Sequence, residues 1–272
     1  MRTRAAVISL LCLAIGLAAA SAQAQYSVKK ASDPATGEKY HVEVTGALWS
    51  PTPDIVISSE SLGIVGSSID FVNDLGIAKT RFRQIKVVLR PAKKHKLRFE
   101  YTPITYDAEG KLTADVVFNG IRFPVTIPVT TNLQWKAYRF GYEYDFVSRD
   151  RGFAGLILEA KYTDVQATLH NILATEFARA RAPIPAIGGI ARVYVAPNIS
   201  ITGEFSGIKL PDNVTNDYRA KYFDFDLYGT VNFTNNVGAQ VGYRSFDVLY
   251  KVHSDEGILK LKGPYFGGVV RF

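Results

Sequence analysis

Residues 138–146 read YRFGYEYDF, and this strict alternation of aromatic and polar residues decides the fold. Successive side chains of a β-strand point to opposite faces, so one face of this segment is aromatic and the other carries Arg139, Glu143 and Asp145. The alternation extends over residues 132–147, which is longer than the roughly 5–6 residues of an average soluble strand. A tilted strand needs roughly 9–11 residues to cross a bilayer. The stretch therefore predicts a membrane-spanning strand with its aromatic face toward lipid.

The same two-residue period recurs along the chain, and we predict an all-β fold, a transmembrane antiparallel up-and-down β-barrel. The prediction is ten strands, with eight to twelve as alternatives. The predicted strands are residues 39–49, 80–90, 95–107, 132–147, 153–169, 184–196, 198–209, 219–233, 236–251 and 258–272.

The connections support this reading, because short and long connections alternate, as periplasmic turns and extracellular loops do in such barrels. Within the longer ones, residues 55–59 and 64–72 could add a strand pair, and a short helix is possible near residues 71–75. Asn119-Gly120 predicts a hairpin turn. The short connections are residues 91–95, 148–152, 196–198 and 234–236; the long ones are residues 50–79, 107–131, 171–183, 210–218 and 252–257.

The N-terminus has the features of a secretory signal peptide. Arg2 and Arg4 precede an apolar run over residues 5–20, and Ala22-Gln23-Ala24 supplies the small residues of a cleavage site. We expect a signal peptide over residues 1–24, a periplasmic segment over residues 25–38 and the barrel domain over residues 39–272. Cys12 is the one cysteine and lies in the signal, so the mature chain can form no disulfide.

Composition excludes several classes. After residue 24 no apolar run approaches the roughly 18 residues of a membrane helix, which leaves a closed barrel as the spanning solution. The formal charge is +7, but the basic residues are spread through the chain rather than clustered as in a nucleic-acid binder. We expect no nucleic-acid partner.

The last residues, 265–272, read YFGGVVRF and place Phe266, Val270 and Phe272 on one face and Arg271 on the other. This ending resembles the C-terminal signature of bacterial outer-membrane proteins, and the whole chain is similar to small barrels of the outer membrane protein A and W type. The resemblance implies integral location in a Gram-negative outer membrane and assembly by the barrel-assembly machinery, which would recognise these three residues. Outer-membrane lipids and lipopolysaccharide are then the expected surroundings of a monomer.

Signatures of chemistry are weak. Residues 203–207 read GEFSG, in which the serine is one place late for a nucleophile elbow. His170 with Asp164, and His253 with Ser254 and Asp255, could serve a lipid-modifying barrel enzyme, but neither set matches a family motif. We expect no catalytic residues, no metal, no cofactor and no enzyme activity.

The phase of the alternation separates the side chains of the barrel into two sets. We predict a charge network in the lumen, because buried charges require partners. Its members are Arg98, Glu100, Arg139, Glu143, Asp145, Glu159, Lys161, Arg192, Glu204, Asp224, Asp226, Arg244 and Arg271. The predicted lipid-facing residues are Tyr138, Phe140, Tyr142, Tyr144, Phe146, Phe223, Phe225 and Leu227.

The functional expectation is a structural or binding role in the outer membrane, with a lumen filled by charged side chains. The alternatives are a small solute channel, an enzyme acting on lipid or lipopolysaccharide, and a soluble secreted barrel that binds apolar ligands. The soluble barrel would turn Tyr138, Phe140, Tyr142, Tyr144 and Phe146 inward.

Overall fold

The computed structural model describes residues 33–58, 67–110, 112, 115–209, 218–252 and 255–272. The chain divides into residues 1–33 and a unit from Pro34 to Phe272, to which the following refers. The expected signal peptide, residues 1–24, lies outside the described residues. No helix in the described ranges is long and apolar enough to cross a membrane.

The regular structure described is entirely β. The strands are β1 Val42–Trp49, β2 Thr52–Ser58, β3 Ile69–Asp70, β4 Phe82–Ala92, β5 His95–Gly110, β6 Val116–Phe118, β7 Ile121–Phe123, β8 Val129–Arg149, β9 Gly152–His170, β10 Thr175–Ala196, β11 Ile199–Lys209, β12 Tyr218–Asn232, β13 Val237–Val252 and β14 Asp255–Arg271.

Ten of these strands form a closed antiparallel barrel in the order β1-β4-β5-β8-β9-β10-β11-β12-β13-β14. The barrel closes between its first and last strands, where Glu43 lies opposite Arg271 and Trp49 opposite Tyr265. Closure pairs both edges of the sheet, which is what a barrel in lipid requires. The prediction of a ten-stranded up-and-down barrel is confirmed.

The two ends of the barrel differ. The "turn end" carries the short connections β4–β5, β8–β9, β10–β11 and β12–β13, and β14 also finishes there. The "loop end" carries the connections over residues 50–81 and 111–128, which contain β2, β3, β6 and β7. β2 pairs with the first half of β14, from Glu256 to Lys262, so it extends the wall beyond the end of β1. The predicted hairpin at Asn119-Gly120 is confirmed, with positive φ at both residues, as a type I′ turn requires.

Three expectations at the loop end are wrong. Residues 252–257 are not a long loop, because β13 continues to Val252 and pairs there with Asp255 of β14. Residues 171–183 are not a long loop, because β10 already begins at Thr175 and pairs with β9 along its whole length. The prolines Pro183 and Pro185 obscured this strand in the sequence, and its outward-facing Arg179 is held by Asp164 of β9 at 2.8 Å. Residues 71–75 form a hydrogen-bonded turn rather than a helix, and the backbone N–H of Val72 donates to the Asp70 carboxylate at 2.9 Å.

The aromatic face of residues 138–146 points outward. Phe140 and Phe146 are 51% and 52% exposed, whereas Arg139 on the opposite face is 8% exposed. The same holds for β12, where Phe223 is outward and Asp224 is buried. The soluble-barrel alternative, which requires the aromatic face inside, is therefore wrong.

The loop half of the interior is an apolar core. Trp49 and Trp135 are each 2% exposed and pack in one cluster with Phe71, Phe118 and Ile55 from the long connections. These three residues of the long connections thus fold into the barrel mouth instead of lying on its surface. We call this cluster the apolar lid.

Candidate functional site

The middle of the lumen is organised around Glu204 of β11, which is 2% exposed. Its two carboxylate oxygens contact the guanidinium groups of Arg98 from β5 and Arg139 from β8. The ammonium of Lys86 from β4 adds a third cation at 3.3 Å. One carboxylate therefore joins strands from opposite sides of the barrel.

A second carboxylate centre lies deeper toward the loop end. Asp224 of β12 accepts from Arg244 at 2.7 Å and lies 3.3 Å from the ammonium of Lys161. Glu159 connects the two centres, because it contacts Arg139 at 2.5 Å and Lys161 at 3.2 Å. The network is therefore continuous across the lumen.

Glu100 closes the ring of contacts. It contacts the guanidinium of Arg244 and lies 3.4 Å from that of Arg139. Asp226 differs from the other carboxylates of the network, because its nearest described partner is the phenol of Tyr265, which donates to it at 2.9 Å.

Strand register explains why these groups meet. Glu100, Arg139 and Lys161 are direct neighbours across β5, β8 and β9. On the other side of the barrel, Glu204, Asp226 and Arg244 are direct neighbours across β11, β12 and β13. Directly opposed residues of antiparallel strands have Cβ atoms about 5 Å apart, so each row places one opposite-charge pair side by side, Glu100 with Arg139 and Asp226 with Arg244. Each row also holds two like charges side by side, Arg139 with Lys161 and Glu204 with Asp226, and these need partners from across the lumen. The two rows then meet across the lumen.

The network continues to the turn end. Lys96 is 1% exposed and contacts Glu143 at 2.6 Å and Asp145 at 2.9 Å. Near the barrel seam Arg271 contacts Glu43 at 2.6 Å. Charged side chains therefore occupy the lumen from its middle to its turn end.

Residues 34–41, the "N-terminal plug", cross the turn end. The backbone carbonyl of Thr36 accepts from Asn232 at 2.7 Å, and the Glu38 carboxylate accepts from Arg192 at 2.8 Å and from the Tyr194 hydroxyl at 2.9 Å. These contacts join the plug to the lumen wall.

At the loop end, the apolar lid rests on the network. Between them lies a cavity of about 30 Å³, lined among others by Trp49, Trp135, Arg244 and Phe246. This volume is comparable to that of one water molecule. The loop half therefore adds an apolar layer above the charged one.

The β6–β7 hairpin of the loop end is held by Asp115. The backbone N–H of Val125 donates to this carboxylate at 2.8 Å and Arg122 contacts it at 2.5 Å. These two contacts hold the pKa of Asp115 below its usual value. The hairpin therefore keeps this support at neutral pH and loses it in acid.

The structure places the residues predicted for the lumen as follows. Every one of them points inward, all except the half-buried Asp226 are buried, and all except Asp226 form at least one ion pair with another described residue. They are Arg98, Glu100, Arg139, Glu143, Asp145, Glu159, Lys161, Arg192, Glu204, Asp224, Asp226, Arg244 and Arg271.

The residues predicted to face lipid or to signal assembly point outward. They are Tyr138, Phe140, Tyr142, Tyr144, Phe146, Phe223, Phe225, Leu227, Phe266, Val270 and Phe272.

Sequence reasoning missed four members of the network: Glu38, Glu43, Lys86 and Lys96. Lys96 lies on the polar face of a recognised alternating segment, and Glu43 and Lys86 lie on the inward faces of β1 and β4, so the phase of alternation could have found them. Glu38 lies in the N-terminal plug, which has no periodic signal.

The first histidine pair considered for lipid chemistry, His170 with Asp164, is not brought together. Asp164 is engaged by Arg179 and Arg181, and the imidazole of His170 instead lies 2.6 Å from the Thr175 hydroxyl. His253 lies outside the described residues. Ser206 is buried and accepts from Lys161 at 2.8 Å. Among the described residues, no group of three or more His, Cys, Asp or Glu side chains is arranged to hold a metal ion.

Solved bacterial barrel structures resemble this fold to different degrees. The outer membrane protease OmpT from Escherichia coli superposes with a TM-score of 0.61 at 10% identity, over 89% of this chain and 100% of OmpT. Ail, the attachment invasion locus protein of Yersinia pestis, gives 0.38 at 10% identity over 85% and 99%. The toluene transporter TodX of Pseudomonas putida gives 0.36 at 9% identity over 89% and 93%. No protein-family model and no curated protein matches the sequence.

The protein thus has the fold of the bacterial outer-membrane β-barrels. This fold supports location in the outer membrane. In such barrels the short turns usually face the periplasm and the longer loops face the exterior.

The expectation that the chain is not an enzyme is corrected by this comparison. It rested on the lack of familiar motifs, whereas the solved barrel that superposes on 89% of this chain is a protease. At 10% identity the likeness concerns the fold alone, but this fold is compatible with catalysis.

Removing Glu204 tests the network. Glu204→Ala leaves Arg98, Arg139 and Lys86 without their shared carboxylate, and we expect the free energy of unfolding to fall by about 3–5 kcal/mol. The measurement is urea unfolding in detergent or lipid, followed by tryptophan fluorescence and heat-modifiable gel migration.

Asp54→Ala is the matched control, because it removes a surface carboxylate that contacts Lys260 at 3.1 Å with 58% of its own side chain exposed. An exposed pair contributes about 0–1 kcal/mol. Equal effects of the two substitutions would show that the lumen network does not stabilise the fold.

Proposed function

We propose that this protein is an integral outer-membrane barrel with a structural or binding role and a lumen that does not conduct. The filled lumen is the observation that carries the proposal. Ion pairs centred on Glu204 and Asp224 occupy the middle, the apolar lid covers the loop end, and the N-terminal plug covers the turn end. Activity then belongs to the surfaces of the barrel and not to a pore.

The outward surface fits contact with outer-membrane lipid and lipopolysaccharide. Tyr101, Tyr138 and Tyr162 lie side by side across β5, β8 and β9, with ring centroids 4.7 and 6.3 Å apart. On the loop side of these rings the outward residues become charged, as at Lys136 and Asp164. Aromatic residues at such a boundary are typical of the lipid–water interface. We propose that the barrel acts as a monomer in this setting.

The tip of the β9–β10 hairpin supports a binding role. Ile172 and Leu173 are 86% and 71% exposed at the loop end. The buried Asn171 side chain accepts the backbone N–H groups of Leu173 at 2.9 Å and Ala174 at 2.8 Å, so the turn is ordered. Polar residues usually occupy such turns. Two aliphatic side chains held outward there suit an apolar contact with an extracellular partner.

Planar-bilayer recording tests the closed lumen. Purified protein, with insertion verified by flotation with vesicles, should give no long-lived conductance steps at neutral pH. The variant carrying both Arg139→Ala and Glu204→Ala removes one opposite-charge pair from the lumen centre without changing net charge, so brief openings are expected from it. Steady large conductance of the wild-type protein would contradict the proposal.

We further propose that the outward residues of β14 engage the barrel-assembly machinery. Phe272→Ala should lower the amount of heat-modifiable protein in the outer membrane severalfold, because a terminal aromatic side chain is lost. Phe233→Ala is the control, since Phe233 is also outward at the turn end and is 65% exposed, against 69% for Phe272. An equal loss in both variants would show that general surface apolarity, and not the terminal strand, is recognised.

A further inference from the structure

The turn end carries a groove of about 570 Å³ that shares only Glu38 with the charge network. The N-terminal plug forms one wall, and the β4–β5 and β8–β9 turns form the other. Its floor includes the rings of Tyr40 and Phe153, which are each 6% exposed. Pockets of roughly 300–1,000 Å³ are the usual size for small ligands.

The groove is held in shape by Arg90. Its guanidinium donates to the backbone carbonyl of Glu38 at 2.6 Å and to that of Lys93 at 3.0 Å, and it lies 5.4 Å from the centre of the Tyr40 ring. One side chain thus fixes the plug against the β4–β5 turn. The space between the walls is a built feature of the fold.

The lining is electropositive. Lys39, Lys93 and Arg149 line the groove and are exposed, and none forms an ion pair with any described residue. Of the two carboxylates in the lining, that of Glu38 is already engaged by Arg192 at 2.8 Å, which leaves Asp150 against three cations. An anionic ligand is therefore favoured.

The groove also reaches the lipid-facing side of the barrel. Phe272 is part of its lining and projects outward with 69% of its surface exposed. Elsewhere on the outer face at the turn end, Tyr144 of β8 packs against His95 of β5 with ring centroids 5.3 Å apart. A ligand in the groove can therefore keep one part among the cations and another part beside the outer apolar face.

We infer that this groove binds the phosphodiester headgroup of an anionic phospholipid from the periplasmic leaflet. Lys39, Lys93 and Arg149 surround the phosphate, and the acyl chains leave along the Phe272 side into the membrane. Free phosphate would use the cations but not the apolar floor, and a soluble acidic peptide would leave Phe272 unused. The inference depends on membrane location and is independent of whether the lumen conducts.

The test uses the full-length mature protein in nanodiscs of phosphatidylethanolamine mixed with phosphatidylglycerol. After gentle release from the discs, native mass spectrometry counts the retained lipids. We expect phosphatidylglycerol to be enriched over phosphatidylethanolamine. The triple variant Lys39→Gln, Lys93→Gln and Arg149→Gln should reduce that enrichment about tenfold or more, because each interfacial cation contributes about a fivefold preference for anionic lipid.

The control variant removes three outward cations on the loop side of the barrel, by Arg83→Gln, Lys136→Gln and Lys262→Gln. None of these cations forms an ion pair within the part of the chain that the structure describes. Enrichment should survive in this variant. An equal loss in both triple variants would assign the effect to overall charge and overturn the inference.

Two competition experiments distinguish a lipid headgroup from free phosphate and from an acidic peptide. Inorganic phosphate and a short oligoglutamate peptide should not displace the retained phosphatidylglycerol at equal charge concentration. Displacement by the peptide, or unchanged lipid enrichment in the groove variant, would overturn the inference. Heat-modifiable migration confirms that each variant is folded, and Lys93→Gln alone provides a milder change with a proportionally smaller loss.

Discussion

The contact between Glu204 and its three cations is the constraint on which the rest of the barrel depends. A carboxylate that is 2% exposed needs compensation, because removing ions from water costs several kcal/mol each. Its partners come from β4, β5 and β8, on the far side of the lumen from β11. A one-residue slip of any of these strands would turn its inward charge to the lipid face. The network therefore fixes register around the barrel as well as filling it.

The same contact determines where function can reside. Charged side chains fill the lumen, the apolar lid lies above them, and the N-terminal plug ties the turn end together through Thr36 and Glu38. What remains accessible is the outward face, the ordered tip with Ile172 and Leu173, and the electropositive groove at the turn end. In the proposed role the barrel interacts through its rims and its wall. The fold it shares with OmpT does not by itself choose among such roles.

Much of the fold could be predicted because a two-residue period indicates both where a strand lies and which of its side chains point into the lumen. The alternation around Phe140 predicted a strand whose aromatic face points outward, and Arg139 was therefore predicted to point inward. β10 shows the limit: Pro183 and Pro185 interrupt the pattern, and Arg179 is stabilised by Asp164, a partner on β9 that local sequence cannot reveal. Extending a strand beyond the membrane depends on such cross-strand pairs rather than on hydropathy.

The candidate site could be predicted in part. Alternation assigns Glu204, Arg139 and Arg244 to the lumen, but which of them meet depends on closure between β1 and β14 and on register. Glu38 could not be assigned, since the plug is irregular and its position follows only from contacts with Arg192 and Tyr194. Asp226 likewise resembles Asp224 in sequence, yet its described partner is the Tyr265 phenol.

Thiol accessibility in the lumen tests the central claim most directly. Ser206 is fully buried beside Lys161, and the mature chain is expected to contain no cysteine, so Ser206→Cys introduces a single probe. With the folded protein in lipid, we predict that a small charged thiol reagent leaves this cysteine unmodified until the barrel is unfolded, while Asp150→Cys at the exposed β8–β9 turn reacts at once. Rapid modification of the cysteine at position 206 in the folded barrel would contradict a filled lumen.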